Sequence, residues 1–230
     1  MEQSFNNEGK ILSYRIRLMR REDVVQVTEI DRRAFPTLWP PTNYQHELQN
    51  RLAHYIVAYD EEKTVDETEV KPPPEKSFSK VTSKMKQLFN PNRFFANGSP
   101  PSSRQYIIGF TGFWIMADEA HITSIAVSEP YRHQGIGEML LISLIDLVTE
   151  LAASLITLEV RASNTAAQNL YLKYGFNQVG QRHGYYKDNN EDAVLMTIEN
   201  FKSTSFQTRL NQLKQAHSRK WGIALYPIAR

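Results

Sequence analysis

The sequence HITSIAVSEPYRHQGIGEMLLISLIDLVTEL occupies residues 121–151. The β-branched residues Ile122, Ile125 and Val127 indicate a buried strand. Pro130 ends it, because proline has no amide to donate to a neighbouring strand. Apolar residues then recur at intervals of three and four, which predicts an amphipathic helix. These residues are Ile136, Met139, Leu140, Leu144, Leu147, Val148 and Leu151. The stretch is therefore a strand, a tight turn and a helix.

The turn has the pattern R-x-x-G-x-G over residues 132–137. The first amides of a helix lack partners inside the helix and carry partial positive charge. Glycine lets the backbone approach a ligand closely. Such a turn can hold a phosphate group, or it can be an ordinary entry into a helix. It is not a dinucleotide-binding fingerprint, because Leu140 stands where the third glycine would fall.

A second strand and a second helix follow. Residues 155–160, LITLEV, have the character of a buried strand. Ser163 or Asn164 can cap the helix that comes next, and Gly175 suits its left-handed end.

The turn and the pattern N-x-x-A-x-x-L-Y-x-x-x-G-F over residues 164–176 resemble the GNAT superfamily of acetyl-CoA-dependent N-acetyltransferases. Within it, the chain is similar to the RimI-like ribosomal-protein-alanine N-acetyltransferases. The resemblance is strong over residues 107–198 and weaker over 11–59. It implies an α/β fold, with a mostly antiparallel central sheet, one splayed parallel strand pair and flanking helices.

The resemblance also implies acetyl-CoA as co-substrate. Its diphosphate would lie on the turn, and its pantetheine arm would lie along the splayed strand and the start of the second helix. The implied binding residues are Ile125, Ala126, Val127, Arg132, His133, Gln134, Gly135, Ile136, Gly137, Glu138, Asn164 and Tyr171. No metal ligand set is expected, since the histidines lack metal-ligand spacing and the chain has no cysteine.

Two side chains suit acetyl transfer. The carboxylate of Glu159 can accept a proton from an amine, or it can form a salt bridge with Arg161 or another partner. Tyr171, with an ordinary phenol pKa of about 10, can protonate a thiolate whose conjugate acid has a pKa of about 8.5, or it can be a core aromatic. The resemblance makes Glu159 the general base and Tyr171 the general acid.

The acceptor is expected to be the N-terminal α-amine of a protein. An α-amine has a pKa of about 7.7–8.0 and lysine about 10.4, so far more α-amine is neutral near pH 7. The resemblance points to the N-terminal alanine of a ribosomal protein, and to Phe35, Trp39, Tyr185 and Tyr186 along the acceptor groove. Phe35 and Trp39 can also be core residues. A lysine or small-amine acetyltransferase, or a non-catalytic acetyl-CoA-binding scaffold, remains an alternative.

Hydrophobic patterning places the other elements. Strands are expected at residues 14–18, 55–59 and 106–116, helices at 22–34 and from Thr42 or Asn43 to 51, and a closing strand pair at 177–183 and 193–199. One acetyltransferase domain over 11–199 is expected, followed by a basic extension over 200–230 whose first half is helical.

Residues 61–105 are too long for an ordinary hairpin connection and are interpreted as a basic, proline-containing insertion. The insertion and the basic tail could contact a ribosome or a membrane surface, without specific recognition of nucleic acid. They could also pack on their own domain. The absence of cysteine, of a signal sequence over residues 1–10 and of a long apolar run favours a cytoplasmic protein.

Overall fold

The computed structural model describes residues 13–37, 40–65, 104–222 and 228. Its strands are β1 (Tyr14–Leu18), β2 (Ala53–Val65), β3 (Arg104–Met116), β4 (Glu119–Val127), β5 (Leu155–Arg161), β6 (Asn177–Tyr186) and β7 (Glu191–Glu199). Its helices are α1 (Val24–Ala34), α2 (Tyr44–Glu47), α3 (Ile136–Glu150), α4 (Thr165–Lys173) and α5 (Thr204–Trp221). Short 3-10 turns cover Arg21–Asp23 and Glu129–Tyr131.

The strands form one sheet in the order β1-β2-β3-β4-β5-β7-β6. The neighbours β4 and β5 are parallel, and the other neighbouring pairs are antiparallel. Helix α3 connects β4 to β5, as a parallel pair requires a crossover. The predicted mixed α/β fold with one parallel pair is confirmed.

The sheet carries a hydrophobic cluster on each face. The larger cluster includes α3 together with Tyr171, Tyr174 and Leu210, and the smaller one includes Val27 and Tyr44. In β5, Ile156, Leu158 and Val160 belong to the larger cluster. Since side chains alternate along a strand, Thr157, Glu159 and Arg161 project from the opposite face, which α1 covers.

The parallel pair opens part-way along its length. Pairing between β4 and β5 ends at Ile122 and Leu158. Directly afterwards, the register of β3 with β4 shifts, because Phe113 pairs with Ile122 and Gly112 with Ser124. Thr123 is thus the extra residue of a β-bulge, and a bulge bends its strand. Beyond the bulge, β4 stays paired with β3 and β5 stays paired with β7. The two parallel strands therefore separate, which is the expected splay.

Several boundaries differ from the sequence predictions. The predicted end of the second helix at residue 51 was wrong, because α2 ends at Glu47. Asn43 caps α2 as expected, but the Oδ1 of Asn50 accepts from the N–H of Leu52 at 3.1 Å, a local bond that competes with helix. The first turn of the helix predicted from residue 22 is a 3-10 turn. Strands β2 and β3 both extend into the predicted insertion.

Other predictions lie outside the described residues. They concern residues 1–10, Trp39 and residues 66–103 of the predicted insertion. Helix α5 is present where the tail was expected to begin with a helix, and it runs to Trp221. Ser203 caps its start by accepting from the N–H of Phe206, and Gly222, with φ 63°, ends it.

No helix among the described residues is both long and apolar enough to cross a membrane.

Candidate active site

The turn between β4 and α3 leaves helix amides without partners. His133 and Gly135 both have positive φ, 61° and 79°, so the chain reverses sharply before α3. The carbonyl of Gly135 accepts from the N–H of Met139 at 2.9 Å, the first bond of the helix. The amides of Ile136, Gly137 and Glu138 meet no acceptor among the described residues. These amides can therefore donate to an anion.

One side of this turn is open and the other is covered. A Cβ built on Gly137 would touch only Val127, at 3.7 Å. A Cβ built on Gly135 would lie 2.6 Å from the side chain of Trp221, which comes from α5. A group can thus approach the amides from the side of Gly137.

The side chains of the turn hold its shape. The Nε of Arg132 donates to the carbonyl of Val127 at 3.2 Å. The Nε2 of Gln134 donates to the carbonyl of Pro130 at 3.0 Å, and the Oε1 of Gln134 accepts from the phenol of Tyr14 at 2.8 Å. His133 is exposed. The turn is braced by these bonds without use of its free amides.

The splay exposes backbone groups of both strands. Ser128 donates its N–H to the carbonyl of Ile108 at 2.8 Å. Because bonding alternates along an antiparallel ladder, the amide of Ala126 faces β3, while those of Ile125 and Val127 face the gap towards β5. On β5, the N–H of Ala162 bonds to Asp192, so by the same alternation the carbonyl of Glu159 faces the gap.

Glu159 lies at the edge of this gap, and its carboxylate contacts one histidine and one arginine. Its side chain is 6% exposed. One carboxylate oxygen lies 3.1 Å from the Nε2 of His121, and the other lies 3.0 Å from a guanidinium nitrogen of Arg182. Each carboxylate oxygen has two acceptor positions, so both retain one for a further donor. The alternative interpretation of Glu159 as a salt-bridge residue is realised with Arg182. It is not realised with Arg161, which pairs with Asp188 and Glu191.

Tyr171 belongs to the larger hydrophobic cluster, on the other face of the sheet from the Glu159 side chain. It is 8% exposed, and its ring packs on Phe176 with centroids 5.6 Å apart. Burial, with a smaller contribution from Tyr186, raises the pKa of its phenol above the ordinary value of 10.0. The phenol therefore keeps its proton at neutral pH.

Tyr186 lies near both predicted catalytic residues. Its hydroxyl lies 3.5 Å from the carbonyl of Glu159, and it acts electrostatically on Tyr171. The guanidinium of Arg161 stacks over its ring at 4.0 Å. Burial raises the pKa of Tyr186 to about 12, although Arg161 opposes the shift. Glu159 and Tyr171 start from opposite faces of the sheet, and both lie near Tyr186. That the two form one catalytic site remains a prediction.

Comparison with known proteins decides the family. The profile of the Acetyltransferase (GNAT) family matches residues 64–176. A Bacillus subtilis (strain 168) protein, provisionally named ribosomal protein bS18-alanine N-acetyltransferase, is 33% identical over 184 residues, which cover 80% of this chain and 93% of that protein. The chain belongs to the GNAT acetyltransferase family.

Two further similarities agree with this assignment. An N-alpha-acetyltransferase of Sulfurisphaera tokodaii is 34% identical over 197 residues, covering 85% of this chain and 98% of that protein. The crystal structure of the Escherichia coli ribosomal-protein-S18-alanine N-acetyltransferase shares the fold, with a TM-score of 0.54 and 23% identity over 81% of this chain and 93% of that one. The chain is therefore a GNAT N-acetyltransferase, a family that uses acetyl-CoA, and the predicted RimI-like resemblance is confirmed.

The other predicted residues of this GNAT site come from different parts of the fold. Asn164 caps α4, since its Oδ1 accepts from the N–H of Ala167 at 3.2 Å. The rings of Tyr185 and Tyr186 meet edge to face, 5.2 Å apart. Tyr185 is exposed. Partial burial and, to a smaller extent, the negative charge of Glu159 raise the pKa of its phenol. Phe35 packs beside the smaller cluster, as the alternative core interpretation expected. Their binding roles remain predictions.

Four residues at this GNAT site were missed by sequence reasoning. His121 and Arg182 contact Glu159, and His217 and Trp221 contact the turn. The position of His121 on the same strand face as Thr157 depends on the parallel register, which no sequence pattern gave. The described residues contain no group of three His, Cys, Asp or Glu side chains able to hold a metal ion.

Proposed function

We propose that this enzyme transfers the acetyl group of acetyl-CoA to the N-terminal α-amine of a protein. The observation that carries the proposal is the buried carboxylate of Glu159 at the strand splay, together with the protonated phenol of Tyr171, which lies near Tyr186. Relatives named for the N-terminal alanine of ribosomal protein bS18 support this class of acceptor.

The proposed reaction is a direct transfer. The neutral amine nitrogen forms a bond to the thioester carbonyl carbon, and the carbon–sulfur bond then breaks. Glu159 takes the proton that the amine nitrogen loses, directly or through a water molecule. Tyr171 gives its proton to the departing thiolate, which would otherwise be a charged product. The products are an amide and CoA, and one proton has passed from the amine to the enzyme while another has left the phenol.

Backbone donors are proposed to hold the co-substrate. The free amides of Ile136, Gly137 and Glu138 suit the diphosphate, and those of Ile125 and Val127 suit the pantetheine arm and thioester carbonyl. Glu138 itself does not oppose the diphosphate, because its carboxylate accepts from the Tyr174 phenol at 2.6 Å and pairs with Lys173.

Charge at the acceptor side favours an amine that is already neutral. The guanidinium of Arg182 lies beside Glu159 and disfavours entry of an ammonium ion. Near pH 7, roughly a tenth of α-amines are neutral, against fewer than one lysine in a thousand. An α-amine can therefore be supplied in its reactive form far more often than a lysine.

Two matched peptides test the proposal. One has a free N-terminal alanine and no lysine, and the other has a blocked N-terminus and one internal lysine. We expect acetyl-CoA-dependent acetylation of the first peptide to be much faster. Equal or lysine-preferring rates would reject the N-terminal assignment. Binding of CoA with no transfer to either peptide or to small amines would instead support a non-catalytic scaffold.

A further inference from the structure

Helix α5 lies against the turn that is proposed to bind the diphosphate. Two of its residues, His217 and Trp221, are one helical turn apart and both contact Gly135. Neighbouring residues at this spacing lie on the same face of a helix. The contact therefore involves one face of α5 and one residue of the turn.

His217 bonds to the backbone of the turn. It is 2% exposed, and its Nε2 lies 2.9 Å from the carbonyl oxygen of Gly135. Because a carbonyl only accepts, Nε2 must carry the hydrogen. The other ring nitrogen, Nδ1, is buried and has no partner among the described residues. The carbonyl oxygen of Gly135 also accepts from the N–H of Met139, which is the first hydrogen bond of α3. The position of this oxygen is therefore set by both His217 and α3.

Trp221 fits the backbone of Gly135. A Cβ at Gly135 would lie 2.6 Å from Cδ1 and 2.7 Å from Nε1 of the indole. The indole therefore occupies the space that any other residue at position 135 would fill. It covers the turn at Gly135, whereas a Cβ on Gly137 would meet only the side chain of Val127, at 3.7 Å.

Other contacts hold α5 in place independently of the turn. Lys214 pairs with Asp146 of α3 at 2.6 Å, and Leu210 is buried in the larger cluster. Phe206 packs near Gly175 at the end of α4. The helix is thus anchored on α3 and α4, and it presents His217 and Trp221 to the turn from a fixed support.

We propose that α5 is a clamp for the diphosphate-binding turn, and that His217 and Trp221 are positioning residues for acetyl-CoA. By fixing Gly135 at its positive φ, they hold the following amides in the direction that an anion requires. The inference rests on the proposed role of the turn. It adds that acetyl-CoA affinity depends on α5, which lies outside residues 11–59 and 107–198, the two regions that carry the resemblance.

The test compares His217→Ala with His217→Gln, which keeps an N–H donor at a similar reach. Gln215→Ala is the matched control, because this exposed residue lies on the same helix. CoA affinity is measured by calorimetry, and kcat and KM are measured with the N-terminal alanine peptide. Losing one hydrogen bond that orders the site is expected to weaken CoA binding and raise KM for acetyl-CoA by about three- to tenfold. We expect kcat and the peptide KM to stay within about twofold, and His217→Gln and Gln215→Ala to resemble the wild type.

Wild-type binding is measured first, so that the two proposals fail separately. If the wild-type chain binds CoA and His217→Ala binds it equally well, the clamp is rejected while the proposed function stands. If the wild type does not bind CoA, both are rejected. If His217→Ala does not fold, Trp221→Ala takes its place, since this residue at the end of α5 is only partly buried. An unchanged CoA affinity in that folded variant would overturn the clamp.

Discussion

His121 and Glu159 face each other across the parallel strand pair, with the Nε2 of the histidine 3.1 Å from a carboxylate oxygen. Arg182 approaches the other oxygen from β6 at 3.0 Å. Glu159 is thus fixed in direction at the point where the strands separate. A carboxylate held in this way is suited to receive a proton from an amine that enters at the gap.

Replacement of Glu159 by glutamine tests its role as base. Glutamine has a similar shape but cannot take up the proton, so kcat with the N-terminal alanine peptide is expected to fall by about a hundredfold or more. The Kd of CoA is expected to stay unchanged, because the proposed diphosphate contacts lie on the turn. Steady-state kinetics and calorimetry measure the two quantities. A collapse of CoA affinity would show that Glu159 is structural.

Replacement of Tyr171 by phenylalanine tests the acid. The ring contact with Phe176 is kept, so the variant should fold, while kcat falls by about tenfold or more because the thiolate leaves without a proton. Tyr59→Phe serves as a control, since Tyr59 is a buried tyrosine of β2 outside the proposed site. Equal kcat in Tyr171→Phe and the wild type would remove Tyr171 from the mechanism.

The same tyrosine makes a prediction about alkaline pH. Its pKa in the folded protein is raised above 10.0 by burial, so the phenol remains protonated throughout the range below that pH. Deprotonation of Tyr171 should therefore not lower the kcat of the wild type at any pH below about 10. A descending limb near pH 8 in the wild type, absent from the variant's residual activity, would contradict the buried, neutral phenol.

Acid sensitivity is predicted for the contact between α5 and the turn. Burial lowers the pKa of His217 below its ordinary 6.5, helped by Lys173 and Lys220 and opposed by the Gly135 carbonyl and Glu138. Between that lowered pKa and 6.5, the unfolded chain binds more protons than the folded one, so the free energy of unfolding falls as pH falls through this window. Above 6.5 the contribution is fully present.

Urea unfolding of the wild type and His217→Gln at about pH 7.5 and about pH 5.5 measures this effect. The wild type is expected to lose more stability than the variant on acidification, because glutamine does not titrate. Identical losses in the two proteins would show that His217 is not buried as a neutral ring.

Arg17 of β1 and Asp23 of the first 3-10 turn form a buried ion pair. Two guanidinium nitrogens of Arg17 lie 2.6 and 2.9 Å from the two oxygens of Asp23, and both side chains are 3% exposed. Asp23→Ala would leave a buried, unpaired cation, at a cost of about 3–5 kcal/mol in the free energy of unfolding.

Glu22→Ala is the matched control for that variant. Glu22 pairs with Arg20 at 3.5 Å on the surface, where an ion pair contributes little, and its loss should change the free energy of unfolding by less than about 1 kcal/mol. Chemical denaturation of both variants checks the contrast. Similar small losses in both would mean that the Arg17–Asp23 pair is exposed to solvent.

The sequence predicted the features that local chemistry determines. The strand, turn and helix at residues 121–151 follow from Pro130, the glycines and the apolar periodicity, and the structure contains all three. The splay was implied by resemblance and is visible as the bulge at Thr123. These features depend on neighbours along the chain or on a recurring motif.

Other features depend on contacts between distant segments. The partners of Glu159 come from β4 and β6, and the polar sequence around Arg182 gave no sign of its register with β7. The docking of α5 on Gly135 depends on tertiary packing. Helix α2 ended early because a local Asn50 bond and the start of β2 outweighed helix propensity.

A crystal structure with bound CoA would locate the diphosphate and the sulfur. We expect diphosphate oxygens within about 2.7–3.2 Å of the amides of Ile136, Gly137 and Glu138, and the CoA sulfur at the strand splay within hydrogen-bonding reach of the Tyr171 phenol. CoA bound away from that turn, or a sulfur remote from both Glu159 and Tyr171, would contradict the proposed function.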